Sequence, residues 1–243
     1  MKPISEIRKQ IISQRGYRKS YNVEHGLSLF NFEELKDKKV MEVACGKGLL
    51  SLLIANYCKE VVGVDILEEE VQAARLNQQK YKIENCTFVT SDIGLTDFEI
   101  ESFDVIVAEA ALHHIIYDYR IGTKLCEYLK PGGRLIFIAE PLGYNWLSEF
   151  VRFIRHHRTH AVGEFSLWYD NVGQFASSFA EVKYYYFDIF SHPFKVLEMI
   201  LPHSIFLIVM KRMWQIDEVI YKYLPILRKY SPNVNIEMIK ADY

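Results

Sequence analysis

Nowhere in the 243 residues do eighteen apolar side chains follow one another, so the sequence predicts no membrane-spanning helix. Cysteine is scarce: there are only Cys45, Cys58, Cys86 and Cys126, and no two stand in C-x-x-C spacing. That argues against a zinc site or a disulfide framework, and for reduced thiols in a cytoplasmic protein. Excess charge of either sign is missing too. A formal net charge of −2 gives no reason to expect nucleic acid as a partner. The opening MKPISEIRKQIISQRG lacks the continuous apolar stretch of a signal peptide. Internal repeats and low-complexity segments are absent. What is there is ordinary for a globular chain, half hydrophobic and a quarter charged, and long enough for one large domain with insertions.

Residues 1–36 read as a polar helical cap with one apolar face, Ile4, Ile7, Ile11 and Ile12. From residue 37 to 142 the pattern changes. Apolar strands are predicted at 39–44, 61–65, 86–90, 103–108 and 134–139, separated by helices at 49–57, 67–81 and 120–129. Strands that are apolar throughout, rather than alternating, indicate a parallel sheet covered on both faces. The helix over 49–57 is apolar nearly all round and is expected to be buried. The next begins on Glu68-Glu69-Glu70 and ends near Lys80 and Lys82, the polarity a helix dipole favours. Lys130-Pro131-Gly132-Gly133 reads as a helix stop. Beyond 142, strands at 181–189 and 234–240 bring the total to seven. A histidine-rich helical stretch precedes them, and a strongly apolar insert over 192–230 separates them. The expected class is α/β, a doubly wound, mostly parallel sheet. Because that sheet needs strands that come after the inserts, residues 143–243 belong to one integrated domain with the core.

In such a sheet, ligands lie beyond the carboxyl ends of the strands, where strand order reverses. The first strand runs out through Glu42-Val43-Ala44-Cys45-Gly46-Lys47-Gly48. Small residues at 44, 46 and 48 permit a tight turn and close approach of a ligand to the backbone. The second strand ends at Asp65, followed by Ile66. A carboxylate there is placed to accept both hydroxyls of a ribose. The third leads to Asp92 and Ile93, an acid for an exocyclic amine beside an apolar residue for an adenine ring. Glu42 is expected to pair with the ammonium of an amino-acid tail, and Glu109, just past the fourth strand, faces the cleft. Each has a plainer reading. Gly46 and Gly48 also suit an ordinary strand-to-helix turn, Asp65 a helix cap, Asp92 a turn, and Glu109 a solvated loop.

Taken together, VMEVACGKG (40–48), VVGVD (61–65), TSDI (90–93), FDVIVAEAALHHI (103–115) and LKPGGRLIFIAEP (129–141) resemble the class I methyltransferases that use S-adenosylmethionine, of the small-molecule, methyltransferase domain 11-like type. The resemblance covers residues 38–142. It implies a seven-stranded Rossmann-like sheet with helical lid insertions, and S-adenosylmethionine as cofactor with S-adenosylhomocysteine as product. It also implies a cofactor set of Glu42, Ala44, Cys45, Gly46, Gly48, Asp65, Ile66, Asp92, Ile93 and Glu109, with Tyr21 from the segment that closes over the cofactor. The family usually carries glycine where this chain has Ala44. EPLGYNWLSEFVRFIRHHRTH, followed by EFSLW, is similar to a subgroup of small bacterial methyltransferases.

Methyl transfer from a sulfonium is an in-line displacement with a neutral leaving group, so alignment is the main task and no metal is needed. A base matters for a hydroxyl acceptor, typically contributing about 10²–10⁴-fold. The acceptor-side candidates are His113, His114 and Glu140. A further cluster, His156, His157 and His160, stands beside Arg152, Arg155 and Arg158 and suits an anionic acceptor. Packing histidines and a solvated basic helix face are the alternatives. Tyr17, Tyr21 and His25 are expected as lid contacts. The apolar insert reads as a helical pair packed on the core, in preference to an interfacial segment or a lid over a lipid-like acceptor. The expected acceptor is a small molecule, lipid-like or glycan-like. Two other functions compete. An NAD-dependent oxidoreductase would use Gly46-Lys47-Gly48-Leu49-Leu50-Ser51, but the third glycine of the dinucleotide fingerprint is absent and Glu42 in the turn would repel pyrophosphate. A non-catalytic scaffold of the same fold would have lost the acids at 42, 65 and 92, and all three are present. AEAA stands where methylases of base amino groups carry Asn/Asp-Pro-Pro-aromatic.

Overall fold

A computed structural model describes residues 25–146, 149–150 and 166–242 of the chain. The expected residues Tyr17 and Tyr21, the isoleucine face at 4–12 and the histidine–arginine cluster at 152–160 lie outside the described residues.

The elements are β1 (Lys39–Val43), α1 (Leu49–Ile54), β2 (Glu60–Asp65), α2 (Glu68–Tyr81), β3 (Cys86–Thr90), β4 (Phe103–Glu109), α3 (Leu112–Ile115), α4 (Tyr119–Tyr128), β5 (Leu129–Pro141), α5 (Tyr169–Phe175), β6 (Glu181–Phe187), α6 (His203–Tyr223) and β7 (Asn233–Ile239). Two 3₁₀ segments, His192–Met199 and Pro225–Tyr230, flank α6. The sheet order is β3-β2-β1-β4-β5-β7-β6. β1 to β5 are parallel, and β7 runs antiparallel between β5 and β6. The chain winds outward from β1 to β3 and then crosses back to β4. The reversal of strand order therefore falls between β1 and β4, which is where such sheets bind ligands.

One face of the sheet packs on α1 and α2 and on the segment 27–35, the other on α3, α4 and α5. Leu50 to Ile54 of α1 are all buried, as its all-round apolar sequence requires. Several boundaries differ from expectation. Helix α1 stops at Ile54 and gives way to turns. Residues 28–36 are mostly turns rather than helix; among the described residues of this stretch, 25–27 are helical. Lys130-Pro131-Gly132-Gly133 does stop α4, but the same residues already belong to β5, which opens on Leu129 opposite Phe103. Gly132, at φ 67°, and a register shift absorb the irregularity. No described helix is long and apolar enough to cross a membrane. All four cysteines are buried and unpaired with one another as disulfides.

The decisive local feature is in β5. Phe137 pairs with Ile236 and Glu140 with Val234, so Ile138 and Ala139 together oppose the single residue Asn235. Such an extra residue bends a strand and re-aims the side chains beyond it. Ile136 and Ile138 face the α1 side, and simple alternation would send residue 140 the same way. The bulge turns Glu140 to the opposite face, under α3. The Asn235 side chain fills the gap, its Oδ1 accepting the Ala139 N–H at 2.8 Å.

Ala139 has φ 60°, and two further alanines, Ala44 (54°) and Ala110 (48°), take left-handed conformations at the ends of β1 and β4. A side chain there costs about 1–2 kcal/mol relative to the right-handed region. Glycine at 44 would lift that strain and lose some chain entropy. Ala44→Gly is therefore expected to stabilise the protein by about 0.5–1 kcal/mol, read as a raised urea midpoint at constant slope. An unchanged or lowered midpoint would contradict the left-handed backbone at this position.

Candidate functional site

The carboxyl ends of β1, β2 and β3 form the first half of the site. Beyond Val43 the chain turns sharply: the Cys45 N–H donates to the Val64 carbonyl at 3.0 Å and the Gly48 N–H to the Cys45 carbonyl at 2.9 Å. Gly46 and Gly48 both have positive φ, for different reasons. A Cβ on Gly48 would come within 2.4 Å of the Phe88 ring and 2.9 Å of Ala74, so Gly48 lets α1 seat against β3 and α2. Among the described residues a Cβ on Gly46 would meet only Glu70, at 3.7 Å, so none of them packs against this glycine.

Asp65 clasps this loop. Its Oδ2 accepts the Gly46 N–H at 2.7 Å and its Oδ1 the Leu67 N–H at 3.0 Å, at the start of α2. Asp65 does not cap α2, whose N-cap is Leu67 with no side-chain cap; it makes a turn just before the helix and holds the loop, using two of the roughly four acceptor positions of an ionised carboxylate. Ile66, beside it, is 63 % exposed. Asp92 forms a turn in which Oδ1 accepts the Gly94 N–H at 2.8 Å. The Ser91 N–H donates to the Asp65 carbonyl at 2.8 Å, which brings the two acids' strands together at this edge.

Three expected cofactor contacts are placed otherwise. Glu42 is buried under α1, where its Oε2 accepts a hydrogen bond from the Ser51 hydroxyl. It lies below the strand end, on the face that β1 turns toward α1, and not in the open turn. Repulsion of a pyrophosphate by Glu42 is therefore no argument against dinucleotide binding. Ile93 is only 7 % exposed and belongs to the core; the open apolar surface near Asp92 is that of Ile66 and Leu95. The Cys45 thiol is buried, and burial, with Glu42 and Asp65 nearby, pushes it well above the usual thiol range. Only the Cys45 backbone is left to serve the loop.

The ends of β4 and β5 form the second half. Glu140 is fully buried. Its Oε1 accepts the Ala111 and Leu112 N–H groups at 2.8 and 2.9 Å, and its Oε2 accepts the His113 N–H at 3.3 Å. A side-chain contact also joins Oε2 to the His113 Nδ1 at 2.8 Å. One carboxylate thus satisfies the amino end of α3 and fixes an imidazole. Because the partner is an acceptor, Nδ1 carries the proton and Nε2 keeps its lone pair, on a ring that is itself only 7 % exposed. Glu140 is accordingly no acceptor-side group, since burial and its four partners leave it beneath α3; it orients His113. The exposed His114 ring lies 4.1 Å from that of His113. Glu109 ends β4, half-buried.

One residue is not foreseen from the sequence: Asn235. Its Nδ2 donates to the His25 Nδ1 at 2.8 Å, and its own orientation is set by the Ala139 N–H on the other side. His25 is therefore held as the neutral tautomer with its proton on Nε2. Its ring stacks on Phe187 at 4.2 Å and meets Trp214 edge-on. It also lines a groove of about 550 Å³ between the segment 25–32 and α6. Asn235 is one of three polar residues in β7, with Asn233 and Glu237, and nothing in the sequence singles it out. Among the described residues no cluster of His, Cys, Asp and Glu is arranged to hold a metal ion.

Residues 34–158 match a family described as a methyltransferase domain, just over half of the chain. The chain belongs to the methyltransferase domain family. Relatives share its core: an uncharacterized methyltransferase of Schizosaccharomyces pombe is 35 % identical over 118 residues, covering 45 % of this chain and 41 % of the relative. A ubiquinone biosynthesis O-methyltransferase of Coxiella burnetii is 32 % identical over 103 residues, 42 % of this chain and 44 % of the relative. The chain thus spans less than half the length of these curated relatives. Among solved structures, the YcgJ protein of Bacillus subtilis superposes with a TM-score of 0.61 at 19 % identity, over 90 % of this chain and all of that one. Phosphoethanolamine N-methyltransferase 2 of Haemonchus contortus, in complex with S-adenosyl-L-methionine, gives 0.62 at 16 % identity, over 90 % of this chain and 52 % of that one. At such identities the structures establish a shared fold.

His25 supplies a test of this architecture. Burial holds its imidazole down at about 4; Asp188 opposes the shift and Lys195 adds to it. The unfolded chain protonates near 6.5. A group depressed in the folded state favours folding above the unfolded value, so this contribution is intact above pH 6.5 and is lost as pH falls toward 4. Its full size is on the order of 3 kcal/mol. Urea midpoints measured between pH 7 and pH 5 should fall more steeply for the parent than for His25→Gln. Parallel curves would mean that His25 is not buried as described.

Proposed function

We propose that this protein transfers a methyl group from S-adenosylmethionine to a hydroxyl-bearing small molecule. The observation that carries the reading is the Asp65–Gly46 clasp: a carboxylate with acceptor capacity to spare, at the end of β2, beside a glycine against which no described residue packs closely. The family match and the S-adenosyl-L-methionine complex of a structural neighbour support the same cofactor. In this reading Asp65 accepts the ribose hydroxyls, the Gly46 and Cys45 backbone lies along the amino-acid portion, and Asp92 and Ile66 flank the adenine. Tyr21 belongs to the covering segment. The core, 37–142, and the two flanking portions act as one domain.

When bound, S-adenosylmethionine supplies an electrophilic methyl group with a neutral leaving group. The chain's own task is then to hold the acceptor in line, exclude water and remove a proton. His113 is built for the last of these. Its Nδ1–H is held by Glu140, so Nε2 accepts the hydroxyl proton at a fixed place, and Glu140 stabilises the imidazolium that forms. Such an arrangement favours oxygen acceptors, in keeping with the O-methyltransferase name of one relative. Beyond the end of β5, the Tyr144 ring contacts those of Trp168 and Tyr169 at 4.8 and 4.9 Å, a cluster that would suit an apolar or aromatic acceptor body.

Calorimetry with S-adenosylhomocysteine tests the first half. Asp65→Ala should lose charge-assisted hydrogen bonds of about 1.5–3 kcal/mol each, a weakening of more than tenfold. Binding equal to that of the parent would refute the assigned site. The second half is tested by product release in a screen of hydroxyl compounds. Against the acceptor so found, His113→Gln should lower kcat by about 10²–10⁴-fold with S-adenosylhomocysteine affinity unchanged. A kcat that survives would remove His113 from the chemistry.

A further inference from the structure

Helix α6 has two faces of different character. Phe206 and Met210 point inward and are fully buried in a small core of their own with the preceding 3₁₀ segment. Asp217 is also buried, and its carboxylate accepts the Phe190 N–H at 2.7 Å and the Ser191 hydroxyl at 2.6 Å, tying α6 to the carboxyl end of β6. The inner face thus packs with a 3₁₀ segment on a small cluster of its own, with Trp214 reaching the larger core.

The outer face is different. Ile205, Ile208, Ile216, Val219 and Tyr223 are all exposed, with Ile208 at 63 %, Val219 at 54 % and Tyr223 at 73 %. At 100° per residue they fall within one narrow stripe, which runs about 27 Å at 1.5 Å per residue. Only Arg212 interrupts it, and an arginine stem lies along apolar surface while its head reaches water. Scattered exposed apolar residues are ordinary on a protein surface, but a continuous row marks an interaction site.

Charge says what covers it. Between His203 and Tyr230 the chain carries Lys211, Arg212, Lys222, Arg228 and Lys229 against Asp217 and Glu218, and Asp217 is buried beneath the helix. The whole chain has a net charge of −2, so this face is opposite in sign to the molecule. Among the described residues none of these five cations is ion-paired. A second copy of the chain would set like charge against like. An apolar stripe rimmed by cations, with Tyr223 and Tyr230 at its end under Lys222 and Lys229, is instead the composition that lies in the headgroup region of an anionic bilayer.

We infer that the outer face of α6 docks the protein on an anionic membrane surface. The inference goes beyond the methyl-transfer reading and does not depend on it. Through Asp217 the helix is fixed to the sheet edge that also carries Asp65 and His113, so docking holds that edge in a set orientation to the bilayer.

The test is co-sedimentation of the full chain with phosphatidylcholine vesicles, with and without phosphatidylglycerol. Binding is expected to the anionic vesicles alone and to be reversed by added salt. Ile208→Glu with Val219→Glu should weaken it by at least about tenfold, as should Lys211→Glu with Arg212→Glu. All four side chains are exposed, so the fold should survive, as checked by thermal melts. No binding to anionic vesicles, or equal binding by the variants, would overturn the inference. So would a dimer of the parent that the isoleucine and valine substitutions dissolve, since the stripe would then belong to a second copy. Titration of the same proteins with S-adenosylhomocysteine keeps the two readings separate: its failure would count against methyl transfer alone.

Discussion

A carboxylate buried among four hydrogen-bond donors organises the end of β4 and β5, the half of the candidate site opposite the glycine loop. Glu140 meets the three free N–H groups at the start of α3 and the ring of His113. Burying such a charge is costly unless it is fully satisfied, and here the amino end of a helix, itself in need of acceptors, satisfies it. The two needs cancel, and the by-product is a histidine with one nitrogen committed and the other presented. None of this would exist without the additional residue in β5, because a regular strand would point position 140 at the opposite layer. Asn235 is what makes the irregular strand tolerable, by accepting the N–H that the bulge strands.

The other half rests on a different device. The loop after β1 is shaped by left-handed backbone at Ala44, Gly46 and Gly48 and tied down from β2 by Asp65. Gly48 answers to packing and Gly46 to the space beyond, although the two look identical in sequence. Rigid strands thus deliver a glycine-rich loop in one conformation, and the two halves meet across the gap between β1 and β4.

Much of this is legible in the sequence, for physical reasons that differ by residue. The strands announce themselves because parallel, doubly covered strands are apolar throughout. Asp65 stands out because an acid that closes an apolar strand must sit where the sheet opens to solvent or to a ligand. Glu42 is harder to read, because a strand's face alternation matters more than proximity in the chain: one residue before the end of β1, its side chain turns toward α1. Ile93 misleads in the same way, as an apolar residue beside an acid is as readily core as contact. Glu140 and His113 are both visible as candidates, but not as a pair, since the bulge that joins them is a matter of register with β7, nearly a hundred residues away. Asn235 leaves no distinct signal, since β7 also carries Asn233 and Glu237. The insert around α6 reads as either packed or interfacial, and one helix with two unlike faces accommodates both.

The position of β7 has a consequence for how the chain is made. Ninety-five residues separate Glu140 from Asn235, and at roughly 5–20 residues per second a ribosome needs about 5–20 s to cover them. Throughout that interval β5 is an unpaired edge, and the amide that closes its bulge does not yet exist. The nascent chain can assemble β1 to β4 early, but the Glu140–His113 pair must wait for the closing hairpin. The glycine loop is therefore among the first parts of the molecule to mature during synthesis, and the histidine across from it among the last.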